Sequence, residues 1–237
     1  MTFCAMSNII DGHVHVTQAL LPRLGPCLAN ADSPEEYAFL RASCVPGMVI
    51  SAGIHPWKAD TTDYAAMAPI LGQTAVIGEI GLDSVWCTVD MDIQRRVFRQ
   101  QLALAREREV PVVLHTKGME GEILDTIRAY PNRYLVHWYS CPEHLQSYID
   151  LGCWFTVGPA LDDPAVRAVA EGAPIDRLLI ESDGLEGIAW AQNRPVTPGE
   201  YPTAMVEHLA AVAALRGVSP EALAQQMEEN FYTFLYE

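Results

Sequence analysis

Ile9-Ile10-Asp11-Gly12-His13-Val14-His15 is a short, mostly apolar run that ends in two histidines. Other runs along the chain end in the same way, in histidines or in carboxylates. Apolar runs of this length are typical of strands buried in a parallel sheet, so each is predicted to carry a side chain of metal-ligand type to its end. The other runs are Val49 to His55, Ala75 to Glu79, Pro111 to His115, Tyr134 to His137 and Leu178 to Asp183.

Segments with helical features alternate with these runs, and no repeat or break in composition divides the chain. Alternation of this kind predicts an α/β fold in which helices join parallel strands. Eight strands are predicted, which is the number that closes a (β/α)8 TIM barrel, and 237 residues fit one such domain over residues 1–237. The predicted strands lie near 9–16, 25–31, 47–54, 74–82, 110–116, 133–139, 152–158 and 178–183.

Helix start signals support this interpretation. Ser33-Pro34-Glu35-Glu36 combines an N-cap, a proline and a capping-box glutamate, and Ser219-Pro220-Glu221 repeats the cap and the proline. These signals predict helices near 33–43 and 219–235, and an apolar stripe predicts another over 90–109.

Two connections are expected to be irregular. Only Thr17 to Leu24 separates the first two strands, which is shorter than an ordinary parallel crossover, so the first barrel helix is expected to be shortened or missing. Residues 184–202 are rich in glycine, proline and asparagine, and they are predicted to form a long loop rather than a helix. Because this segment follows the strand that bears Asp183, it is a candidate lid.

Composition limits the location and the partners of the protein. The net charge of −15 argues against an extended nucleic-acid surface, since phosphate binding needs clustered lysine and arginine. No apolar run is long enough to span a bilayer, and Met1 to Asn8 lacks the features of a signal peptide, so no membrane partner and a cytoplasmic location are expected. The cysteines show no CxxC spacing and are expected to be reduced; they are Cys4, Cys27, Cys44, Cys87, Cys141 and Cys153.

The histidines and carboxylates at the strand ends predict a metal centre. His13 and His15 lie two residues apart, so a strand points both imidazoles to the same side, where one metal can bind both. His115 and His137 end two successive predicted strands in corresponding positions. Imidazoles gathered at the catalytic end of a barrel favour metal binding over structural roles.

Two carboxylates are candidate ligands in the same region. Glu79 falls where a core residue is expected, and a buried unpaired carboxylate is unfavourable unless a cation or an arginine neutralises it. Asp183 is a candidate ligand and a candidate base toward a water. Glu181 lies deeper on the same side of the strand and is expected to make a structural hydrogen bond or ion pair.

Four motifs together resemble those of TatD-type metal-dependent hydrolases. They are Asp11-Gly12-His13-Val14-His15, Gly53-Ile54-His55-Pro56, Ile77-Gly78-Glu79-Ile80-Gly81-Leu82-Asp83 and Glu181-Ser182-Asp183. The stretches Leu215 to Glu221 and Glu229 to Tyr232 resemble that family's closing helices, so the likeness extends over about residues 9–235. The resemblance implies a barrel of the amidohydrolase type with up to two divalent cations, in a family that includes Mg²⁺- or Mn²⁺-dependent deoxyribonucleases.

The resemblance also implies a set of ligands. One metal would be held by His13, His15, Glu79 and Asp183, and the other by Glu79, His115 and His137, with Glu79 as the bridge. His55 matches a family histidine near the site and is expected to contact substrate phosphate or a water rather than metal. One or two ions are expected, and four imidazoles with two carboxylates suit Zn²⁺, Mn²⁺, Fe²⁺ or Ni²⁺ better than Mg²⁺, which prefers oxygen ligands.

The chain departs from the family pattern after four of its strands. Ser84-Val85-Trp86 stands where many relatives have tyrosines, and His115-Thr116-Lys117 replaces His-Ser-Arg. His137-Trp138-Tyr139-Ser140 stands where the family commonly has His-Cys-Phe-Ser-Gly, and Asp183-Gly184-Leu185 replaces Asp-Ala-Pro. Lys117 is one of only two lysines, and it is either an anion clamp for substrate or a solvated loop residue. Trp57 and Trp138 are candidate substrate contacts that either stack on a base or pack in the rim of the barrel.

Three functions are compatible with these features. The first is metal-dependent hydrolysis of a phosphoester, in a small molecule or at the end of a nucleic acid, with Glu79 and Asp183 as catalytic residues. The second is hydrolysis of a small amide, lactone or carboxyl ester, which the acidic balance and the scarcity of lysine favour. The third is a non-catalytic scaffold with a residual metal site.

Overall fold

The computed structural model describes residues 9–43 and 45–237. The expectations for Met1 to Asn8, and for the redox state of Cys4 and Cys44, lie outside these described residues. Cys27, Cys87, Cys141 and Cys153 are free thiols, as expected. Among the helices described, none combines the length and the apolar character that a membrane crossing requires.

Eight parallel strands follow one another around a barrel in chain order, which confirms the predicted fold. Helices alternate with the strands from the second strand onward. The strands are β1 (Asp11–His15), β2 (Cys27–Ala31), β3 (Met48–Ala52), β4 (Val76–Asp83), β5 (Val112–Lys117), β6 (Tyr134–Val136), β7 (Trp154–Val157) and β8 (Leu178–Ile180). The helices are α1 (Pro34–Ser43), α2 (Tyr64–Leu71), α3 (Met91–Arg108), α4 (Glu120–Ile127), α5 (Leu145–Asp150), α6 (Pro164–Gly172), α7 (Gly184–Gln192), α8 (Tyr201–Arg216) and α9 (Pro220–Tyr236).

The first and last strands meet at a seam that side chains hold together. Beyond β8, the Asp183 N–H donates to the His13 carbonyl at 3.2 Å. Deeper in the seam, the buried Asp11 carboxylate accepts hydrogen bonds from the Ser182 N–H at 2.9 Å, from the Ser182 hydroxyl and from the Tyr201 hydroxyl at 2.8 Å. These bonds tie β1 to the end of β8 and to α8.

The two irregular connections have different outcomes. Between β1 and β2 only a single 3-10 turn forms, at Leu21–Arg23, so the expected loss of the first barrel helix is confirmed. The predicted long loop over 184–202 is wrong in its first half, because α7 begins at Gly184 and only residues 193–200 separate it from α8. Buried Ile188 and partly buried Leu185, three residues apart, give α7 an apolar face, and Gly187 lets that face approach the Ser182 carbonyl closely.

Helix α3 controls the positions of two strand ends through buried glutamines. The Gln101 side chain accepts from the Ile54 N–H at 2.6 Å and donates to the Ile54 carbonyl at 3.1 Å. Gln94 makes the same pair of bonds with the backbone of Asp83, at 2.9 and 3.1 Å. Because Ile54 precedes His55, and because Asp83 ends β4, both glutamines fix backbone beside the predicted metal centre.

Candidate metal centre

Strand β1 brings His13 and His15 to the open end of the barrel. Their Nε2 atoms each lie 3.5 Å from Oε2 of Glu79, although His13 is fully buried and His15 is partly exposed. Both imidazoles therefore lie on the same side of β1, as the spacing of the two histidines predicted.

Asp183 completes a first group of candidate ligands, defined here as His13, His15 and Asp183. Its Oδ1 lies 3.5 Å from the His13 Nε2 and 3.6 Å from the His15 Nε2. The backbone at Asp183 is left-handed, with φ of 55°, and its side chain makes no capping bond to α7. The turn therefore leaves the carboxylate free to face the two histidines.

A second group forms around Oε1 of Glu79. The Nδ1 of His115 and the Nε2 of His137 both lie 2.6 Å from this oxygen. His55 also turns its Nε2 inward, to 3.6 Å from the same oxygen and 3.3 Å from Nδ1 of His115. The two oxygens of Glu79 thus face different histidines, and His55 lies among the second set rather than only at the substrate wall.

The centre is electrostatically unusual because a buried carboxylate lies among imidazoles. Burial opposes the ionisation of Glu79, yet the charges of His137, His55 and His115 hold its pKa well below its ordinary value. Burial lowers the pKa of His15, but Glu79 and Asp183 together raise it to about 9. Without metal, the centre therefore holds protons where a cation would bind.

Unpartnered buried atoms show that the residues fit a divalent cation. Both ring nitrogens of His13 and Oδ1 of Asp183 lack a hydrogen-bond partner among the described residues. Leaving such atoms unsatisfied costs on the order of 1–3 kcal/mol each. A cation between imidazole nitrogens and carboxylate oxygens removes that cost, and this mixture of donors suits Zn²⁺, Mn²⁺, Fe²⁺ or Ni²⁺.

Two further buried carboxylates support the ligands. Asp83 accepts a hydrogen bond from Nε2 of His115 at 2.9 Å, and Glu181 lies 3.6 Å from Nδ1 of His137. Burial opposes ionisation of Asp83, but bonds from His115, from the Trp86 backbone and from Trp57 hold its pKa well below the usual range. The support from Asp83 was not predicted, although a polar residue at the end of an apolar run, four residues after Glu79, was a usable signal.

The predicted substrate contacts lie around the mouth of the barrel. Trp57 is half exposed, and its ring centroid lies 5.2 Å from that of His55. Trp138 is buried, so the rim-packing alternative describes it better than base stacking. Lys117 donates to the Trp138 carbonyl at 2.8 Å and to the Ser140 hydroxyl at 2.9 Å, and burial lowers its pKa, so it is not a solvated loop residue.

Two exposed tryptophans at the mouth were not among the predicted contacts. Trp86 lies three residues after the end of β4, and Trp190 lies on α7 with its ring centroid 5.6 Å from that of Trp138. Trp190 was missed because residues 184–202 were interpreted as a loop. The other two histidines of the chain lie outside the centre: His208 is buried and bonds to the Val157 carbonyl at 2.8 Å, and His144 precedes α5.

Comparison with known proteins identifies the family. The family described as "TatD related DNase" matches residues 10–236. The chain belongs to this family. It is accordingly a metal-dependent hydrolase, and the two groups of candidate ligands lie at the end of the barrel where such folds place their active sites.

Two relatives show how far the likeness to the TatD family extends. A protein of Citrobacter koseri named 3′-5′ ssDNA/RNA exonuclease TatD is 27% identical over 201 residues, which cover 77% of this chain and 76% of that protein. The protein of Escherichia coli K12 named uncharacterized metal-dependent hydrolase YcfH is 26% identical over 253 residues, which cover 94% of each chain.

Solved structures confirm the fold. The crystal structure of YJJV, a TatD homolog from Escherichia coli K12, superposes with a TM-score of 0.83 at 21% identity, and it covers 98% of this chain and 99% of that chain. A TatD family hydrolase from Entamoeba histolytica gives a TM-score of 0.77 at 14% identity, with 97% and 98% covered.

Proposed function

We propose that this TatD family protein is a divalent-metal-dependent phosphoesterase that acts on the end of a single-stranded nucleic acid or on a small phosphoester. One observation carries the proposal: the two oxygens of Glu79 face separate groups of histidines at the mouth of the barrel, at 3.5 Å and 2.6 Å. A shared carboxylate between two ligand groups is an arrangement suited to two-metal hydrolysis of phosphoesters.

The ligand assignment is part of the proposal. The first ion would be held by His13, His15 and Asp183, the second by His115 and His137, and Glu79 would bridge them. His55 is close enough to the second group to bind there or to hold a substrate oxygen. Bound divalent ions would polarise the scissile phosphoryl group and make a nucleophilic water available at neutral pH.

The chain's own residues would perform the remaining steps. Oδ1 of Asp183 makes no hydrogen bond among the described residues and faces the open end of the first group, so it would accept the proton of the attacking water. Glu181, buried behind His137, would keep that imidazole oriented. Lys117 would bind an anionic oxygen of the substrate.

The mouth favours a substrate that contains planar rings and little continuous charge. Trp57, Trp86 and Trp190 are all more than half exposed around the centre, and exposed indoles stack on bases. The net charge of −15 disfavours a long duplex but not a single-stranded end. The named activity of the Citrobacter koseri relative on ssDNA and RNA supports the same class of substrate. We place the activity in the cytoplasm as a further part of the proposal, in keeping with the four free cysteines.

The test is a substrate comparison with metal-loaded protein. Purified protein with Mn²⁺, Zn²⁺ or Mg²⁺ is incubated with end-labelled single-stranded DNA, duplex DNA, nucleotide esters, carboxyl esters and lactones. We expect shortening of single-stranded DNA or cleavage of nucleotide esters, with Mn²⁺ or Zn²⁺ more effective than Mg²⁺. Turnover of carboxyl esters or lactones alone would favour the second hypothesis, which the acidic surface supports. A metal-loaded protein inactive on all of these would favour the scaffold.

A further inference from the structure

Asp83 lies outside both ligand groups, yet it contacts two different parts of the site. It is the last residue of β4 and is fully buried. One of its oxygens, Oδ2, lies 2.9 Å from Nε2 of His115 and 2.6 Å from the indole Nε1 of Trp57. A single oxygen atom thus joins a side chain of the second ligand group to an exposed tryptophan at the mouth.

The position of this carboxylate is fixed from every side. Its other oxygen, Oδ1, accepts from the backbone N–H groups of Val85 and Trp86, each at 2.8 Å. The Gln94 side chain bonds both the N–H and the carbonyl of Asp83. The carboxylate therefore cannot turn away from its two side-chain partners without breaking backbone bonds.

The contact with Asp83 determines which ring nitrogen of His115 carries a hydrogen and which is available to a metal. An ionised carboxylate only accepts hydrogen bonds, so a nitrogen that faces it carries a hydrogen unless a metal ion takes the place of that hydrogen. Both ring nitrogens of His115 face a carboxylate: Nε2 faces Asp83, and Nδ1 lies 2.6 Å from Oε1 of Glu79 and 3.3 Å from Nε2 of His137. Because Glu79 belongs to the candidate metal centre and Asp83 does not, a metal ion would replace the hydrogen on Nδ1 while Nε2 keeps its own.

We propose that Asp83 is a positioning residue for both metal and substrate: it commits His115 to binding the second metal through Nδ1, and it holds Trp57 in place as a wall of the substrate site. The first half depends only on the metal centre, whereas the second half rests on the proposed function. A substrate ring that stacks on Trp57 would therefore contact a side chain that shares Oδ2 of Asp83 with the proposed metal ligand His115.

The Asp83→Asn variant distinguishes the proposed hydrogen-bonding role from a simple packing role, because asparagine and aspartate have the same shape. If the amide oxygen of Asp83→Asn stays on Val85 and Trp86, its NH₂ faces the N–H groups of His115 and Trp57. If the amide turns round, its NH₂ faces the two backbone N–H groups instead. Both orientations place donors against donors, although the variant has the same shape as the native residue.

Zinc binding without substrate is the first measurement. Removal of a group that supports a metal-binding histidine costs about 10–100-fold in affinity. We expect Asp83→Asn to weaken the second zinc by that factor while the first zinc still binds normally. Trp57→Phe, which removes the indole N–H and leaves a smaller ring, should leave both zinc affinities unchanged. Asp125→Asn, an exposed aspartate on α4, is the matched control for loss of one charge.

Nitrogen NMR of the zinc-loaded wild type is the second measurement, and it does not depend on whether any variant folds. We expect His115 to show a protonated Nε2 and a metal-bound Nδ1, and the Trp57 indole N–H to resonate downfield as a donor to a carboxylate. A His115 that binds zinc through Nε2 would overturn the proposal, and so would an Asp83→Asn protein with two zinc sites of normal affinity.

The substrate half is tested with whichever phosphoester the wild type cleaves. Trp57→Phe should raise KM with little change in kcat, and Asp83→Asn should raise KM at least as much even with zinc at saturating concentration. A normal KM in Trp57→Phe would show that Trp57 does not form a wall of the substrate site. If no phosphoester is cleaved, the proposed function fails, but the zinc and NMR results still decide the role of Asp83.

Discussion

Asp11 and Ser182 are joined across the seam of the barrel by two hydrogen bonds, one from the Ser182 N–H at 2.9 Å and one from its hydroxyl. Tyr201 adds a third bond to the same buried carboxylate. Strand β1 carries two candidate ligands of the first group, and the third, Asp183, lies just beyond β8 on the other side of the seam, so the stability of the seam and the geometry of the centre depend on the same bonds.

Replacement of Asp11 by alanine is predicted to destabilise the metal-free protein by about 3 kcal/mol or more, because it leaves four buried donors without an acceptor: the N–H groups of His13 and Ser182 and the hydroxyls of Ser182 and Tyr201. Tyr201→Phe removes only one donor, and about 1 kcal/mol is expected for it. Urea unfolding of both variants measures the difference. Equal stability of Asp11→Ala and wild type would show that water replaces the carboxylate.

Asp183→Asn is predicted to keep the fold and at least one bound metal but to lower kcat by about 10²–10⁴-fold, the range for removal of a general base. The amide cannot take a proton from water, yet its oxygen can still face the histidines. Metal content, circular dichroism and kcat are measured on one sample. Near-normal turnover with metal bound would remove Asp183 from proton transfer.

Metal binding is predicted to release protons and to strengthen as the pH rises toward about 9. Glu79 and Asp183 raise the pKa of His15 to about 9, and Glu79 and Glu181 raise that of His137 well above its ordinary value. Both imidazoles are therefore protonated at neutral pH in the metal-free protein, and a cation must displace those protons. Calorimetry in buffers of different ionisation enthalpy counts them. Binding heats that do not depend on the buffer would contradict the prediction.

Gly81→Ala is predicted to prevent folding or to abolish binding of the second metal. A Cβ at Gly81 would lie 1.9 Å from the carbonyl oxygen of His115, so β4 and β5 could not pair at the centre. Gly172→Ala is the control, because a Cβ there meets no atom within 4 Å and alanine favours the helical end of α6. A soluble Gly81→Ala protein with two normal metal sites would show that the strands separate at little cost.

The sequence was sufficient for the barrel because most strands are short, mostly apolar runs, and most of these have a histidine or a carboxylate at, near or just past their ends. The same local pattern predicted the positions of His13, His15, Glu79 and Asp183 at one end of the fold. The missing first helix also followed from a local property, the short spacing between β1 and β2.

Features that depend on tertiary contacts were not accessible in this way. The helix α7 is rich in glycine, and its stability comes from Ile188 and from close packing against Ser182, neither of which a local pattern reveals. The contact of Asp83 with both His115 and Trp57 joins three separate elements of the barrel. The inward orientation of His55 likewise depends on Gln101 of α3, which fixes the preceding residue.

The seam between β1 and β8 has a consequence for synthesis of the chain. His13 and His15 lie near the N-terminal end, whereas Asp183 follows the last strand, so a chain growing on the ribosome lacks the third ligand of the first group until nearly the whole barrel has emerged. A truncated or nicked chain that cannot close the seam also cannot form that group. Occupancy of the first metal is thus a measure of complete barrel closure.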